Sequence, residues 1–465
     1  VRSEFIPMMI GQKNYSLLKT IKSLFDPNNI LNPGKIIEAP KMDESFRTHV
    51  GQETPEISTL LDFSSSMGIV RATEQCNGSG DCLKVSGGAM CPSYKATRNE
   101  KDTTRGRANA LREFLYQKNT NRFDHKELKE AFDLCLSCKA CASECPSNVD
   151  VAAFKAEFLY QYHQNNRRRL RDYVMGYNAR FNALGSMLTS VTNFFFSNII
   201  TRYWIKKTVG IHPKRSLPLI SNKTLEKLLQ NTENKEVTIN KKVYLFIDEF
   251  TNYLESELGL KAFQLLTRLG YDVCHLPFVD SGRSQISKGF LKDAKQLANT
   301  NTNRFKGIID SKTPLVGIEP SAILSFRDEY PKLATDQKAA KHLAKNTYLI
   351  DEFLASEIKA GIITDAAFTK TSKKMSFHAH CHQKALGDPK DTLRILNFPT
   401  NYEASLIPSG CCGMAGSFGY EKEHYDVSMQ IGEDVLFPEL KKLPSTTVVV
   451  ANGTSCRHQI KDGTR

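Results

Sequence analysis

Cys135-Leu-Ser-Cys138-Lys-Ala-Cys141-Ala-Ser-Glu-Cys145-Pro146 is the stretch around which this chain is organised. Its spacing, C-x-x-C-x-x-C-x-x-x-C-P, is the run that wraps an iron–sulfur cluster. Short gaps let three sulfurs converge from one tight loop. The fourth points away, at the head of the next helix, toward a neighbouring cluster. Buried unliganded thiols are a competing reading, and so is zinc, which also uses C-x-x-C pairs. Four cysteines in so short a run, ending in Cys-Pro, favour iron–sulfur over either.

Working outward, more thiols lie upstream in Cys76-Asn-Gly-Ser79-Gly-Asp-Cys82 and Cys91-Pro92. Ala108, Leu111, Phe114 and Leu115 fall at helical spacing, which predicts a helix over 105–115. Helical patterns also approach the main run over 127–134 and leave it over 151–162. The layout resembles an all-α two-cluster ferredoxin-like domain, taken as 76–165. The crossing ligation of such domains assigns Cys135, Cys138, Cys141 and the distant Cys91 to a [4Fe–4S] cluster. It leaves Cys76, Cys82 and Cys145 for the second site, with Ser79 where a middle cysteine would fall. Three thiolates suit [3Fe–4S], or [4Fe–4S] with a further ligand; an empty second half is the alternative.

The totals set limits on the rest. A chain of 465 residues holds roughly three domains, and its 40% hydrophobic content is enough for buried cores. No basic-then-apolar block marks a secretory signal, so twelve cysteines point to metal ligands in a reducing, cytoplasmic compartment. The formal charge of +13 is densest at Arg167, Arg168, Arg169 and Arg171. A solvated basic face that steers an acidic partner or substrate is the first reading of that cluster, and a membrane surface on the inner face the second. No motif of a nucleic-acid module is present.

Residues 1–41 are too short to fold alone and run through turn signals, Phe25-Asp-Pro-Asn-Asn-Ile-Leu-Asn-Pro-Gly-Lys35, after a helical run from Tyr15 to Leu24. They read as the tail of a missing domain, and both ends of the chain look cut from something longer. Residues 42–75 form a polar connector and 166–240 a helical linker. Between Arg180 and Arg202 there is no formal charge. A buried helix pair is expected there, ahead of an amphipathic surface-docking segment and a membrane span.

The remainder repeats internally, with strands alternating with helices as in α/β lobes with parallel sheets. The first lobe is taken as 241–345 and the second as 346–465. In the second, Cys381, the Cys411-Cys412-Gly413 turn and Cys456 each follow a strand, where ligands of open α/β sheets gather. Adjacent cysteines are poor disulfide partners but can both reach a metal from a tight turn. His378, His380, His382 and His458 lie near these loops, and His380 and His382 are the candidate imidazole ligands. In the first lobe, Asp280-Ser281-Gly282 and Ala322 stand where the second has thiols, and Cys274 reads as a core residue.

Two resemblances follow from these residues. The second lobe resembles the cysteine-rich CCG domain of heterodisulfide reductases and glycolate oxidase iron–sulfur subunits, with a first lobe that has lost its thiols. That site would hold an iron–sulfur cluster, a mononuclear metal such as zinc, or a redox-active thiol pair. The order of tail, ferredoxin module and CCG repeats resembles the iron–sulfur part of fused FAD-linked oxidases, the D-lactate, glycolate and D-2-hydroxyglutarate dehydrogenases. The resemblance implies oxidation of an (R)-2-hydroxyacid at a flavin, with electrons passed through clusters to a quinone or other carrier. The flavin belongs to an absent domain or subunit, so no FAD-binding and no catalytic residue is assigned here. A heterodisulfide-reductase-like oxidoreductase and a metal-stabilised docking or regulatory module are the rival readings. The hydroxyacid and the oligomeric state stay open.

Overall fold

The computed structural model describes residues 3–44, 51–117, 121–230, 232 and 241–464. Contacts divide the chain into two units, 1–54 and 55–465.

In the first unit, helix α1 (Ile6–Phe25) starts well before the expected Tyr15. Gly11, at φ 78°, interrupts its helical geometry and with it the sequence pattern. The turn signals that follow are organised by one buried carboxylate. Asp26 accepts the amides of Ile30 (3.0 Å) and Leu31 (2.9 Å) and pairs with Lys22. The Tyr15 hydroxyl accepts the Glu38 amide at 2.9 Å.

The second unit is mostly helical, with two small parallel sheets. Its cysteine module is built from α2 (Ile69–Glu74), α3 (Pro92–Thr97), α4 (Thr104–Tyr116), α5 (Lys126–Asp133), α6 (Ala140–Glu144) and α7 (Val151–Asn165). Ala108, Leu111 and Leu115 of α4 pack with Leu128 and Phe132 of α5 and Phe154 and Phe158 of α7. These are the positions that periodicity picks out, because a helix buries one stripe at that spacing.

Helices α8 (Leu170–Gly176), α9 (Asn178–Met187), α10 (Thr189–Ser197) and α11 (Ile199–Val209) follow. Here the structure corrects an expectation. The charge-free stretch forms short helices rather than a buried pair, and most of its large apolar side chains are exposed. Among the described residues no helix is long and apolar enough to cross a membrane.

The first sheet has the order β2-β1-β3-β4, from β1 (Lys242–Leu245), β2 (Asp272–Cys274), β3 (Leu315–Gly317) and β4 (Thr347–Leu349), all parallel. Because β4 pairs with β3, this sheet runs past residue 345, where the sequence reading divides the lobes. The second sheet, β6-β5-β7, comprises β5 (Lys373–His378), β6 (Tyr402–Leu406) and β7 (Val448–Ala451) and is also parallel. Parallel strands end at a common edge, so the loops after β5, β6 and β7 all leave from one side of the sheet. Those loops carry Cys381, Cys411, Cys412 and Cys456.

Candidate metal centre

The cysteine module supplies two groups of sulfur. Cys138 lies within electrostatic reach of Cys141 and Cys135, and Cys141 within reach of Cys135 and Cys91. The four thiols assigned from spacing are therefore gathered in one region. Burial pushes the Cys91 thiol up to about 11, against a favourable bond from Thr104. The Thr104 amide donates to Cys91 Sγ at 3.0 Å, from the N-terminus of α4. Thr103 caps that helix by accepting the Gly106 amide at 2.9 Å. An amide donor and a helix N-terminus both favour an anionic sulfur, as a ligating thiolate requires. Of the second group, Cys82 is felt by Cys91, and Arg105 faces both Cys76 and Cys82. Cys145, half-buried, packs against the same core. Ser79 is exposed.

Between Cys138 and Cys141, Lys139 takes a left-handed conformation, φ 65°, which turns the loop. Its buried ammonium pairs with Asp328, with Glu329 (3.1 Å) and with Asp150 (3.7 Å). Burial opposes that charge, but the three carboxylates outweigh it and hold the ammonium protonated.

The second sheet gathers its thiols in the same way. Thiol–thiol contacts run from Cys381 to Cys411, on to Cys412, and from Cys412 to Cys456. All four are buried. The Cys411 thiol holds Cys381 down to about 6. Gly413, at φ 95°, makes the turn possible: a Cβ there would collide with the Ser428 carbonyl. Lys384 closes the loop from below by donating to the carbonyls of Ser409 and Gly410.

The histidine among these thiols is His378, which the sequence reading leaves out of the ligand set. Its ring nitrogen, Cys412 Sγ and Cys456 Sγ lie within 4.8 Å of one another. Nδ1 contacts Ser409 Oγ at 2.7 Å, while the buried Nε2 has no hydrogen-bond partner. The two candidates named from sequence have other partners. His380 Nδ1 accepts the His382 amide at 3.1 Å and so caps the helix Cys381–Leu386, and His382 Nε2 contacts the Ser137 carbonyl at 3.1 Å. β5 ends at His378 and the helix begins at Cys381, so the three rings leave the chain from different local structures. Four thiols with one unpartnered imidazole nitrogen are a donor set that fits an iron–sulfur cluster or a zinc ion.

The two sulfur regions adjoin. Cys381 lies within electrostatic reach of Cys138. The His382–Ser137 contact joins the second sheet's helix to the cysteine loop.

In the first lobe, carboxylates lie beside the positions that lack thiols. Ser281 donates from its amide (3.1 Å) and hydroxyl (2.8 Å) to the buried Glu249. Glu319, at the end of β3, accepts the Thr454 amide at 2.7 Å.

Comparison with known proteins agrees with this layout. Residues 75–150 match the 4Fe-4S dicluster domain, and residues 1–36 match the C-terminal domain of FAD linked oxidases. The chain is 29% identical to D-2-hydroxyglutarate dehydrogenase of Escherichia coli K12, over 99% of this chain and 49% of that protein. It is 25% identical to one of the subunits of anaerobic glycerol-3-phosphate dehydrogenase from the same strain, over 69% of this chain and 79% of the relative. Lactate utilization protein A of Bacillus subtilis 168 is 26% identical over 46% of this chain and 87% of its own length. The chain thus spans about half the length of the D-2-hydroxyglutarate dehydrogenases it matches. No solved structure matches it. An FAD-linked oxidase segment followed by a 4Fe-4S dicluster domain is the arrangement of an FAD-linked oxidase and iron–sulfur fusion, a family whose cofactors are iron–sulfur clusters and FAD.

Proposed function

We propose that this chain is the electron-transfer portion of an FAD-dependent (R)-2-hydroxyacid dehydrogenase. It would take electrons from a flavin domain or subunit and deliver them to a quinone or other carrier at the cytoplasmic membrane surface. D-lactate, glycolate and D-2-hydroxyglutarate are the candidate substrates. Cys91, Cys135, Cys138 and Cys141 would hold a [4Fe–4S] cluster, and Cys76, Cys82 and Cys145 a second one. The sheets would form CCG-type lobes, the second using Cys381, Cys411, Cys412 and Cys456 with His378. Clusters supply one-electron steps where a reduced flavin holds two electrons.

The chain's own residues exclude water, hold the sulfurs and set the local charge. Lys155, which donates to the Cys135 carbonyl at 2.6 Å, and Lys384 place cationic ends next to the two thiol groups, which offsets the negative charge that ligated sulfur accumulates.

The observation that supports this reading is the junction of the two sulfur-bearing loops, where His382 Nε2, one residue from Cys381, meets the carbonyl of Ser137, one residue from Cys138, at 3.1 Å. Anaerobic preparations should be brown, with electron-spin signals after reduction. Cys138→Ser should remove the signals of one cluster and leave the others. A colourless, zinc-loaded protein would overturn the proposal.

A second reading draws on the unbroken contacts from Cys381 to Cys456: a heterodisulfide-reductase-like thiol chemistry. Under that reading Cys411→Ser abolishes thiol–disulfide turnover with the dicluster module intact.

A further inference from the structure

A cavity of about 280 Å³ lies between α8–α11 and the loops that carry the second thiol group. One end is apolar, walled by Phe181, Phe196, Ile205, Val209 and Leu217. The other end is polar and reaches both sulfur regions, with Ser137, Arg283, His380, Cys381 and His382 in its wall. A single space thus runs from apolar helices to Cys381 and to Ser137 of the cysteine loop. A water-soluble donor or acceptor has no need of such an apolar approach.

The helices at the apolar end carry a second feature. Their outer faces expose Leu184, Met187, Leu188, Phe194, Ile199 and Ile200, the last two 75% and 70% accessible. An apolar patch of this kind is uncommon on a protein facing only water. Tyr203 and Trp204, both about half exposed, sit at its edge, and Lys207 lies 5.0 Å above the Trp204 ring. Aromatic rings beside lysine are the side chains that settle at a lipid headgroup boundary. Charge points the same way. Residues 173–225 contain seven Lys and Arg and no Asp or Glu. Lys206 and Arg215 are buried, but Arg180, Arg202, Lys207, Lys214 and Lys223 are not, and an apolar face whose own segment carries cations and no carboxylate complements an anionic bilayer.

We propose that α9–α11 lie on an anionic bilayer and that the cavity beneath them seats a lipophilic carrier of the quinone class drawn from that bilayer. The apolar end receives the hydrocarbon tail, and the polar end receives the ring, with the Arg283 guanidinium as hydrogen-bond donor. The inference deepens the electron-transfer reading and rests on it for the class of ligand. Its site, entrance and lipid source are read from the cavity and the exposed faces.

Trp204 is the chain's sole tryptophan, so its fluorescence reports on α11 alone. Anaerobically purified protein is titrated with vesicles of phosphatidylcholine, with and without phosphatidylglycerol. Anionic vesicles should shift Trp204 emission to the blue, and brominated lipid chains should quench it. Phe194→Glu, on the exposed face and outside the cavity, should weaken vesicle binding about tenfold or more. A fluorescent alkyl-hydroxyquinoline N-oxide then probes the cavity. Val209→Phe should weaken its binding at least as much, and Phe194→Glu should leave binding in detergent unchanged.

Unchanged Trp204 emission with anionic vesicles overturns the bilayer as occupant, including the case where a flavin-domain polypeptide protects Trp204 instead. Probe binding that is indifferent to both Val209→Phe and Leu217→Phe overturns the cavity assignment. Iron, sulfide and electron-spin measurements on the same samples keep the outcomes separate. Protein that lacks clusters yet binds vesicles and probe defeats the electron-relay reading alone. Protein with clusters that binds neither defeats this inference alone.

Discussion

Lys139→Met is the sharpest test of how the cysteine loop is held. The wild-type ammonium is 3% exposed and lies among Asp150, Asp328 and Glu329, two of which come from the first lobe. Breaking a buried pair by removing one partner costs about 3–5 kcal/mol, because the other charge stays buried without compensation. Here the loss is partly offset. Lys332 holds Asp150 at 3.0 Å and Asp328 at 2.7 Å, but its side chain is 31% exposed, and Arg283 retains Glu329. The expected destabilisation is therefore at the lower end, about 3 kcal/mol.

The assay is anaerobic urea unfolding of Lys139→Met, Asp328→Asn and the double variant, followed by far-ultraviolet circular dichroism. Asp328→Asn should relieve part of the Lys139→Met penalty, giving a coupling of about 1–3 kcal/mol. Lys19→Met is the control. Its pair with Glu38 at 3.1 Å is solvent-exposed, so its loss should cost under about 1 kcal/mol. A Lys139→Met penalty no larger than the control's, or strict additivity with Asp328→Asn, would refute the reasoning.

Three further predictions follow from the geometry. His424 contacts Asp133 at 2.9 Å and Glu421 at 3.2 Å; burial opposes its charge, but these partners raise its pKa above the ordinary histidine value. Its contribution to stability is thus full below about pH 6.5 and lost as pH rises through the raised value. Lys288, His424 and Arg171 hold Glu421 well below the carboxylate range despite burial, so its contribution is present above about pH 4.3 and lost on acidification. The stability gap between wild type and His424→Gln, read from urea midpoints, should be widest near pH 5–6 and shrink on the alkaline side. Gly413→Ala should cost about 2 kcal/mol or more, from the left-handed backbone and the collision with the Ser428 carbonyl, and should empty the second thiol site of metal; metal analysis beside thermal unfolding checks both. Ser79→Cys should convert a three-thiolate site into a four-thiolate one, and loss of any three-iron electron-spin signal from the oxidised protein would register the change.

The cysteine module is legible in the sequence because ligand spacing is local. The helices at 104–116 and 151–165 are legible because an amphipathic stripe repeats within one helix. Strand β4 is not, since three residues between helices are too few for a period to show. The stretch between Arg180 and Arg202 misleads for a different reason. Composition reports that a segment is apolar, and only tertiary packing reports which of its faces is covered. His378 escapes the ligand set because three histidines crowd Cys381 in sequence, and only the folded junction of β5 with the following helix decides which ring meets the sulfurs. Lys139 meets Asp328 across 189 residues, and no local pattern announces such a partner.

The most direct test of the account is metal analysis of the chain purified under strict anaerobic conditions, with electron-spin resonance after stepwise reduction. Iron and acid-labile sulfide in nearly equal amounts, with reduced-state signals that Cys138→Ser and Cys411→Ser remove separately, is the predicted result. Zinc in place of iron, or no sulfide at all, would contradict it.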